Sequence, residues 1–145
     1  MEESTSPRIL IVDDDPETTD IICRVLSKEG FDVTTTVDPR QAIEYVEDEK
    51  FAVVVSDIQM PEISGHELTR AVHDTVKGTQ VILMTAYSTI DKVVEAYQVG
   101  ASDYLLKPFE DLDEVAEAVR GAVRRHQRWH EALRKTYRQS EQRWA

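Results

Sequence analysis

Cysteine is almost absent from this chain. Cys23 is the only one in 145 residues, so no disulfide can form within the chain, and a reducing compartment is expected. Long apolar runs are absent too. Nothing approaches the ~20 residues that a membrane-spanning helix needs. The first residues, MEESTSP, are acidic and polar and do not resemble a secretory leader. The expected location is therefore the cytoplasm, with no membrane partner. Positive charge is scarce: 17 Lys and Arg stand against 28 Asp and Glu, a formal net charge of -11. That balance argues against non-specific binding of nucleic acid or anionic lipid by the whole chain. Internal repeats and low-complexity segments are missing as well.

The scarce positive charge is concentrated at one end. Residues 120–145 carry eight basic and two acidic side chains, and residues 1–119 carry nine and twenty-six. An acidic body with a basic tail points to two roles.

Apolar segments and helix signals alternate along the body. ILIV (9–12) is apolar throughout, as in a strand buried on both faces. Asp15-Pro16 then supplies an N-cap and a first-turn proline, and the helix so opened is expected to stop at Gly30. FDVTTTV (31–37) is rich in β-branched residues and reads as a second strand. Asp38-Pro39 repeats the cap device before Ala42, Ile43 and Val46. FAVVVSD (51–57) is the third strand, and IQMPEISG the loop after it, with Gly65 as a turn residue. A helix through Leu68 and Val72 and a turn at HDTVKGT (73–79) lead to the fourth strand, QVILMT (80–85). Thr89 can cap a helix through Val93, Val94 and Tyr97 that ends at Gly100. DYLLK (103–107) is the fifth strand, and a last helix begins near Leu112. Five such alternations give an α/β fold with a parallel sheet and helices on both faces.

Ligand sites in open α/β sheets form beyond the carboxyl ends of the strands. The first strand ends in Asp13, Asp14 and Asp15, the third in Asp57, the fourth in Thr85 and the fifth in Lys107. Clustered carboxylates become tolerable when a hard divalent cation holds them, because Mg²⁺ takes oxygen ligands in near-octahedral geometry. Asp15, the third of the run, is read as the helix cap. His66, His73, His126 and His130 have no carboxylate or cysteine at ligand spacing and are read as surface or packing residues.

The motifs ILIVDDDP, VVSDIQMPEISG, ILMTAYST and GASDYLLKPF together resemble the receiver domain of bacterial two-component response regulators, a CheY-like superfamily. The resemblance covers residues 8–123, between a disordered N-terminus (1–7) and a basic helical extension (124–145). It implies a flavodoxin-like, doubly wound sheet of strand order 2-1-3-4-5. It implies that Asp57 accepts a phosphoryl group from a sensor histidine kinase or phosphotransfer protein. It also implies that Asp13, Asp14, Asp57 and the backbone carbonyl of Gln59 hold Mg²⁺, for which Mn²⁺ could substitute. Lys107 would pair with phosphoryl oxygens, Thr85 would donate a hydroxyl to them, and Ala86 would leave them room. Tyr104 would be an aromatic switch coupled to Thr85, and the Lys107-Pro108 peptide would be cis. Gln59 and Tyr87 stand where residues tune the lifetime of the acyl phosphate. The surface of the fourth helix, fifth strand and last helix would then change its effector or dimer state. The chain would catalyse its own phosphorylation and dephosphorylation only. A haloacid-dehalogenase-type phosphatase also uses a strand-end aspartate with Mg²⁺, but it needs an acid two residues further on, where this chain has Gln59. A phosphorylation-independent scaffold on the same fold is the other alternative. It would be favoured by loss of a key acid or of the lysine, and none is lost.

Beyond 123 no proline or glycine interrupts the last helix. Val115, Val119, Ala122, His126, Trp129, Leu133, Thr136 and Ser140 follow steps of four and three, a coiled-coil-like seam that weakens after Leu133. The expected roles are a dimerising signalling helix, a linker to an output domain outside this chain, a docking helix for another protein, or a solvated extension. No helix-turn-helix pattern supports direct DNA binding by the tail.

Overall fold

The computed structural model describes residues 6–144, so most of the expected disordered N-terminus, Met1 to Thr5, lies outside the described residues. Strands and helices alternate as β1 (Arg8–Val12), α1 (Pro16–Lys28), β2 (Asp32–Thr36), α2 (Pro39–Asp48), β3 (Val53–Asp57), α3 (Gly65–Thr75), β4 (Gln80–Thr85), α4 (Ile90–Gln98), β5 (Asp103–Leu106) and α5 (Asp113–Trp144). All strands are parallel, in the order β2-β1-β3-β4-β5.

The local signals work as their chemistry requires. Asp15 caps α1 by accepting from the Glu17 N–H at 3.1 Å, and Asp38 caps α2 by accepting from the Arg40 N–H at 2.9 Å. Each is followed by proline at the first helical position, where a missing N–H costs nothing. Ser64 and Glu67 form a reciprocal capping box on α3. Thr89 caps α4 through the Lys92 N–H at 3.2 Å.

Side chains alternate across a sheet, and the two faces divide the core accordingly. Ile9, Ile11, Val53, Val55, Ile82 and Met84 face α1 and α5. Leu10, Val12, Val54, Val81 and Leu83 face the side that holds α2 and α3. Burial on both faces is why these strands read as unbroken apolar runs.

Several boundaries differ from the sequence expectation. Phe51 and Ala52 are buried but precede β3. Lys107 lies just past β5. The expected turn at 73–79 begins later, because α3 continues through His73 to Thr75, and His73 Nε2 lies 3.1 Å from the Gly100 carbonyl oxygen. In α4 the apolar residues do not form an inward stripe. Val93 and Val94 are exposed and Tyr97 is 83% exposed, so Ala96 is its only buried residue.

The proposed seam on the last helix also changes meaning. Val115, Val119 and Ala122 are fully buried against the sheet, so they are the domain's own core and cannot face a second helix. Trp129 and Leu133 continue the same face beyond the sheet, where nothing covers them: they are 60% and 54% exposed. α5 runs without a break across the expected boundary at 123/124.

Replacing a core side chain should therefore be far more damaging than replacing an α4 one. Ile82→Ala is expected to cost about 2–5 kcal/mol, and Ile90→Ala, at an 82% exposed position, less than about 0.5 kcal/mol. Urea unfolding of the two variants measures both.

Candidate functional site

Parallel register carries the chemical residues to one end of the sheet. β1 and β3 run side by side with Val12 opposite Ser56, so Asp13 and Asp57 emerge next to one another. Thr85 closes β4 opposite Leu106, and the next residue, Lys107, is held by its own N–H to the Thr85 carbonyl at 2.8 Å.

Asp13 is fully buried and Asp57 is buried, whereas Asp14 is exposed. Carboxylate oxygens of all three lie within 4.8 Å of one another. One cation faces them. Lys107 Nζ donates to Asp13 Oδ2 at 2.6 Å and lies 3.5 Å from Asp57 Oδ1. Asp13 is further fixed by the Asp15 N–H, which donates to its Oδ1 at 2.9 Å.

This imbalance shows in the proton affinities. Burial, then the neighbouring Asp13, push the Asp57 carboxyl up, from an ordinary 3.8 to about 6. Lys107 offsets part of the rise, and Asp14 adds to it. Burial pulls the Lys107 ammonium down, but its hydrogen bond to Asp13 and the charges of Asp13 and Asp57 outweigh that, so its proton is held more tightly than usual. Three converging carboxylates against one lysine leave net negative charge in a partly dry site. The donor set is all oxygen, which suits a hard divalent cation.

The other expected residues fall around this cluster. Thr85 is buried, and its Oγ1 accepts from the Tyr87 N–H at 3.1 Å. Tyr104 sits opposite Leu83, two places before Leu106, the partner of Thr85. Thr85 and Tyr104 therefore share one face of the sheet. The Tyr104 hydroxyl is 3.3 Å from Ser88 Oγ and the ring is half-buried. Gln59 is exposed in the loop two residues after Asp57. The Lys107-Pro108 peptide is cis.

Gly65 has a role that the sequence reading did not see. It is the first residue of α3 rather than a turn residue with special backbone freedom. A Cβ there would lie 2.5 Å from the Asp57 carbonyl oxygen and 2.9 Å from Ile58 Cα, below any tolerated contact. The glycine lets α3 start directly against the strand end that carries Asp57. The capping box Ser64–Glu67 was the available signal that a helix, not a turn, begins at this glycine.

The sequence matches the family described as "Response regulator receiver domain" over residues 9–120. The chain belongs to that family. It is 34% identical over 125 residues to the regulatory protein VanRc of Enterococcus gallinarum, covering 86% of this chain and 53% of VanRc. Among solved structures, a CheY-like response regulator receiver domain protein from Methanospirillum hungatei superposes with a TM-score of 0.81 at 27% identity, covering 86% of this chain and 98% of that one. The beryllofluoride-activated NtrC4 receiver domain dimer gives 0.78 at 27% identity, covering 82% and 98%. The chain spans from about a quarter to about half the length of the curated relatives it matches. Receivers serve phosphorylation-dependent two-component signalling and are not enzymes with a separate substrate. They generally bind Mg²⁺ at an acidic pocket and interact with histidine kinases or phosphotransfer proteins. Among the described residues no helix is long and apolar enough to cross a membrane.

A carboxyl that keeps its proton longer in the folded chain than in the unfolded one lowers stability as pH rises between the two values. For Asp57 that window runs from about 4 to about 6. Asp57→Asn should therefore stabilise the receiver by about 1–3 kcal/mol at pH 7, and the gain should vanish near pH 4. Paired urea titrations of the two proteins across this range check the sign.

Proposed function

We propose that this receiver is a switch thrown by phosphorylation of Asp57. The observation that carries the reading is the meeting of Asp57 with Asp13, Asp14 and Lys107 at one end of the sheet. A carboxylate oxygen of Asp57 attacks the phosphorus of a phosphohistidine. The new O–P bond forms as the N–P bond breaks, and the imidazole leaves with its electron pair. Such a transfer needs charge neutralisation and alignment more than a strong base. Lys107 is placed to pair with the phosphoryl oxygens while still bonded to Asp13. Asp13, Asp14, Asp57 and the Gln59 carbonyl would hold Mg²⁺, which supplies further charge neutralisation at the phosphoryl oxygens.

The addition of a phosphoryl group then draws the Thr85 hydroxyl away from the Tyr87 N–H. Tyr104, on the same face, rotates inward from Ser88 into the space Thr85 leaves. The α4–β5–α5 surface follows and presents a changed face to an effector or a second receiver. This is a shift between two populated states, driven by one modification. A two-receiver assembly is supported by the printed description of the NtrC4 neighbour as an activated dimer. The uncovered Trp129 and Leu133 on the α5 extension offer a second route to it, or a linker to an output domain. We assign residues 8–123 to the receiver, 124–145 to the extension, and the whole to the cytoplasm. The aspartyl phosphate is lost by self-catalysed hydrolysis.

Incubation with Mg²⁺ and acetyl phosphate or phosphoramidate, followed by intact mass, is expected to show a single phosphoryl adduct. The adduct should be lost in Asp57→Asn and require added Mg²⁺. Lys107→Ala should reduce its yield without unfolding the chain. A sizing column run before and after reads any change in assembly. Folded wild-type protein that takes up no phosphoryl group from either donor would return the reading to the scaffold.

A further inference from the structure

The far end of the sheet, away from the aspartates, holds a cavity of about 770 Å³. It lies between the start of β1, the turn after α3 and the point where α5 leaves the domain. His126 and His130 line it together with Asp32, Lys50 and Lys77. The two histidines are four residues apart on α5 and project over the same cavity. Their ring centres are 4.3 Å apart, with the planes tilted by 49°.

That separation is informative. A metal–imidazole nitrogen bond of ~2.0–2.1 Å places the centres of two adjacent imidazoles on one ion roughly 4.5–5 Å apart, so these rings need open by only a few tenths of an ångström to share one. Paired histidines at this helical spacing are a common way of holding a late transition-metal ion. A ring nitrogen of His126 is already committed in the way ligating histidines require. Its Nδ1 lies 3.0 Å from the Gly78 carbonyl oxygen, which can only accept, so Nδ1 carries the proton and donates. The Nε2 lone pair is thereby left free. A backbone carbonyl holding the second ring nitrogen is the usual outer support of a metal-bound histidine.

We infer that His126 and His130 form a chelating site for a divalent late transition-metal ion such as Cu²⁺, Ni²⁺ or Zn²⁺. The ion takes two protein nitrogens, and its remaining positions open into the cavity and are filled by water. Imidazole is a poor ligand for Mg²⁺ and a good one for these ions. The receiver thus presents an all-oxygen site at one end of the sheet and a nitrogen site at the other, selective for different metals. Charged groups around the site act on protonation more than on coordination. Burial, then His126, Lys50 and Arg134, pull the proton affinity of His130 down, which keeps that imidazole neutral and available. Arg134 is itself paired with Glu131 at 2.7 Å, and Arg8 at the cavity edge is paired with Glu49 and with Asp32. The exposed Lys50 and Lys77 are screened by solvent. A bound ion would fasten the first turns of the α5 extension beside the Gly78 turn and so stiffen the exit of the tail from the domain.

The test uses the untagged 145-residue chain in saturating Mg²⁺, titrated calorimetrically with Cu²⁺, Ni²⁺ and Zn²⁺ at about pH 7.5. One ion per chain is expected, with Cu²⁺ tightest. His126→Gln/His130→Gln should weaken binding at least ~tenfold, the loss that follows even from removing an outer support. Asp14→Ala should bind as wild type does. Circular dichroism confirms that both variants fold, and the acetyl phosphate adduct on Asp57 should form in the histidine variant as in wild type, so this site and the switch are judged separately. Unchanged binding in the double histidine variant, loss of binding in Asp14→Ala, or no stoichiometric uptake of any of the three ions would each overturn the assignment.

Discussion

The ion pair between Lys107 and Asp13 joins residues 94 apart in sequence across the carboxyl end of the sheet. It is the contact on which the functional end depends. Three carboxylates brought together by parallel strands repel one another, and the two buried ones, Asp13 and Asp57, also lose hydration. A single ammonium 2.6 Å from Asp13 and 3.5 Å from Asp57 is what allows the arrangement to persist. It does not neutralise the cluster. Burial, with the residual negative charge, keeps Asp57 reluctant to ionise, and that charge leaves the site receptive to added positive charge. Stability is sacrificed locally, and the large core on both faces of the sheet carries the cost.

The geometry that produces this tension follows from simple elements. Each of β1, β3 and β4 is buried on both sides, so its backbone is fixed and its last residue is aimed. Gly65 lets α3 press directly on the strand end behind Asp57, and the Asp15 N–H clamps Asp13 from the helix side. The groups proposed to react are rigidly held. The groups proposed to move sit further out, Thr85 on the next strand and Tyr104, only half-buried, on the edge strand beyond it. Rigidity and freedom are separated by their distance from the middle of the sheet.

Much of this was legible in the sequence because a parallel sheet writes itself plainly. Strands buried on both faces appear as apolar runs, and Asp-Pro pairs mark the starts of α1 and α2. The order of strands came from motif resemblance, since periodicity says nothing about which strands are neighbours, while the gathering of Asp13, Asp14, Asp57, Thr85 and Lys107 at one end followed from their places at the carboxyl ends of parallel strands. What was misread depended on tertiary contact. Val115, Val119 and Ala122 have the spacing of a seam between helices and are in fact the domain's own core, because one helical face looks the same whatever covers it. Val93, Val94 and Tyr97 lie on a helix as their sequence suggests, but spacing does not say that all three are exposed. Gly65 looks like a flexible turn, and only the nearness of the Asp57 carbonyl reveals that its missing side chain is a matter of space. His126 and His130 are four residues apart in sequence, but that spacing alone does not say that their rings lie 4.3 Å apart over one cavity.

That α4 buries only Ala96 has a consequence for how such a protein can diversify. A helix that contributes one small side chain to the core can change nearly all its other residues with little effect on whether the chain folds. The surface that would be read by a partner is thus uncoupled from the surface that folding needs. New recognition can be written on α4 one substitution at a time, while the phosphoryl chemistry at the ends of the neighbouring strands remains as it was.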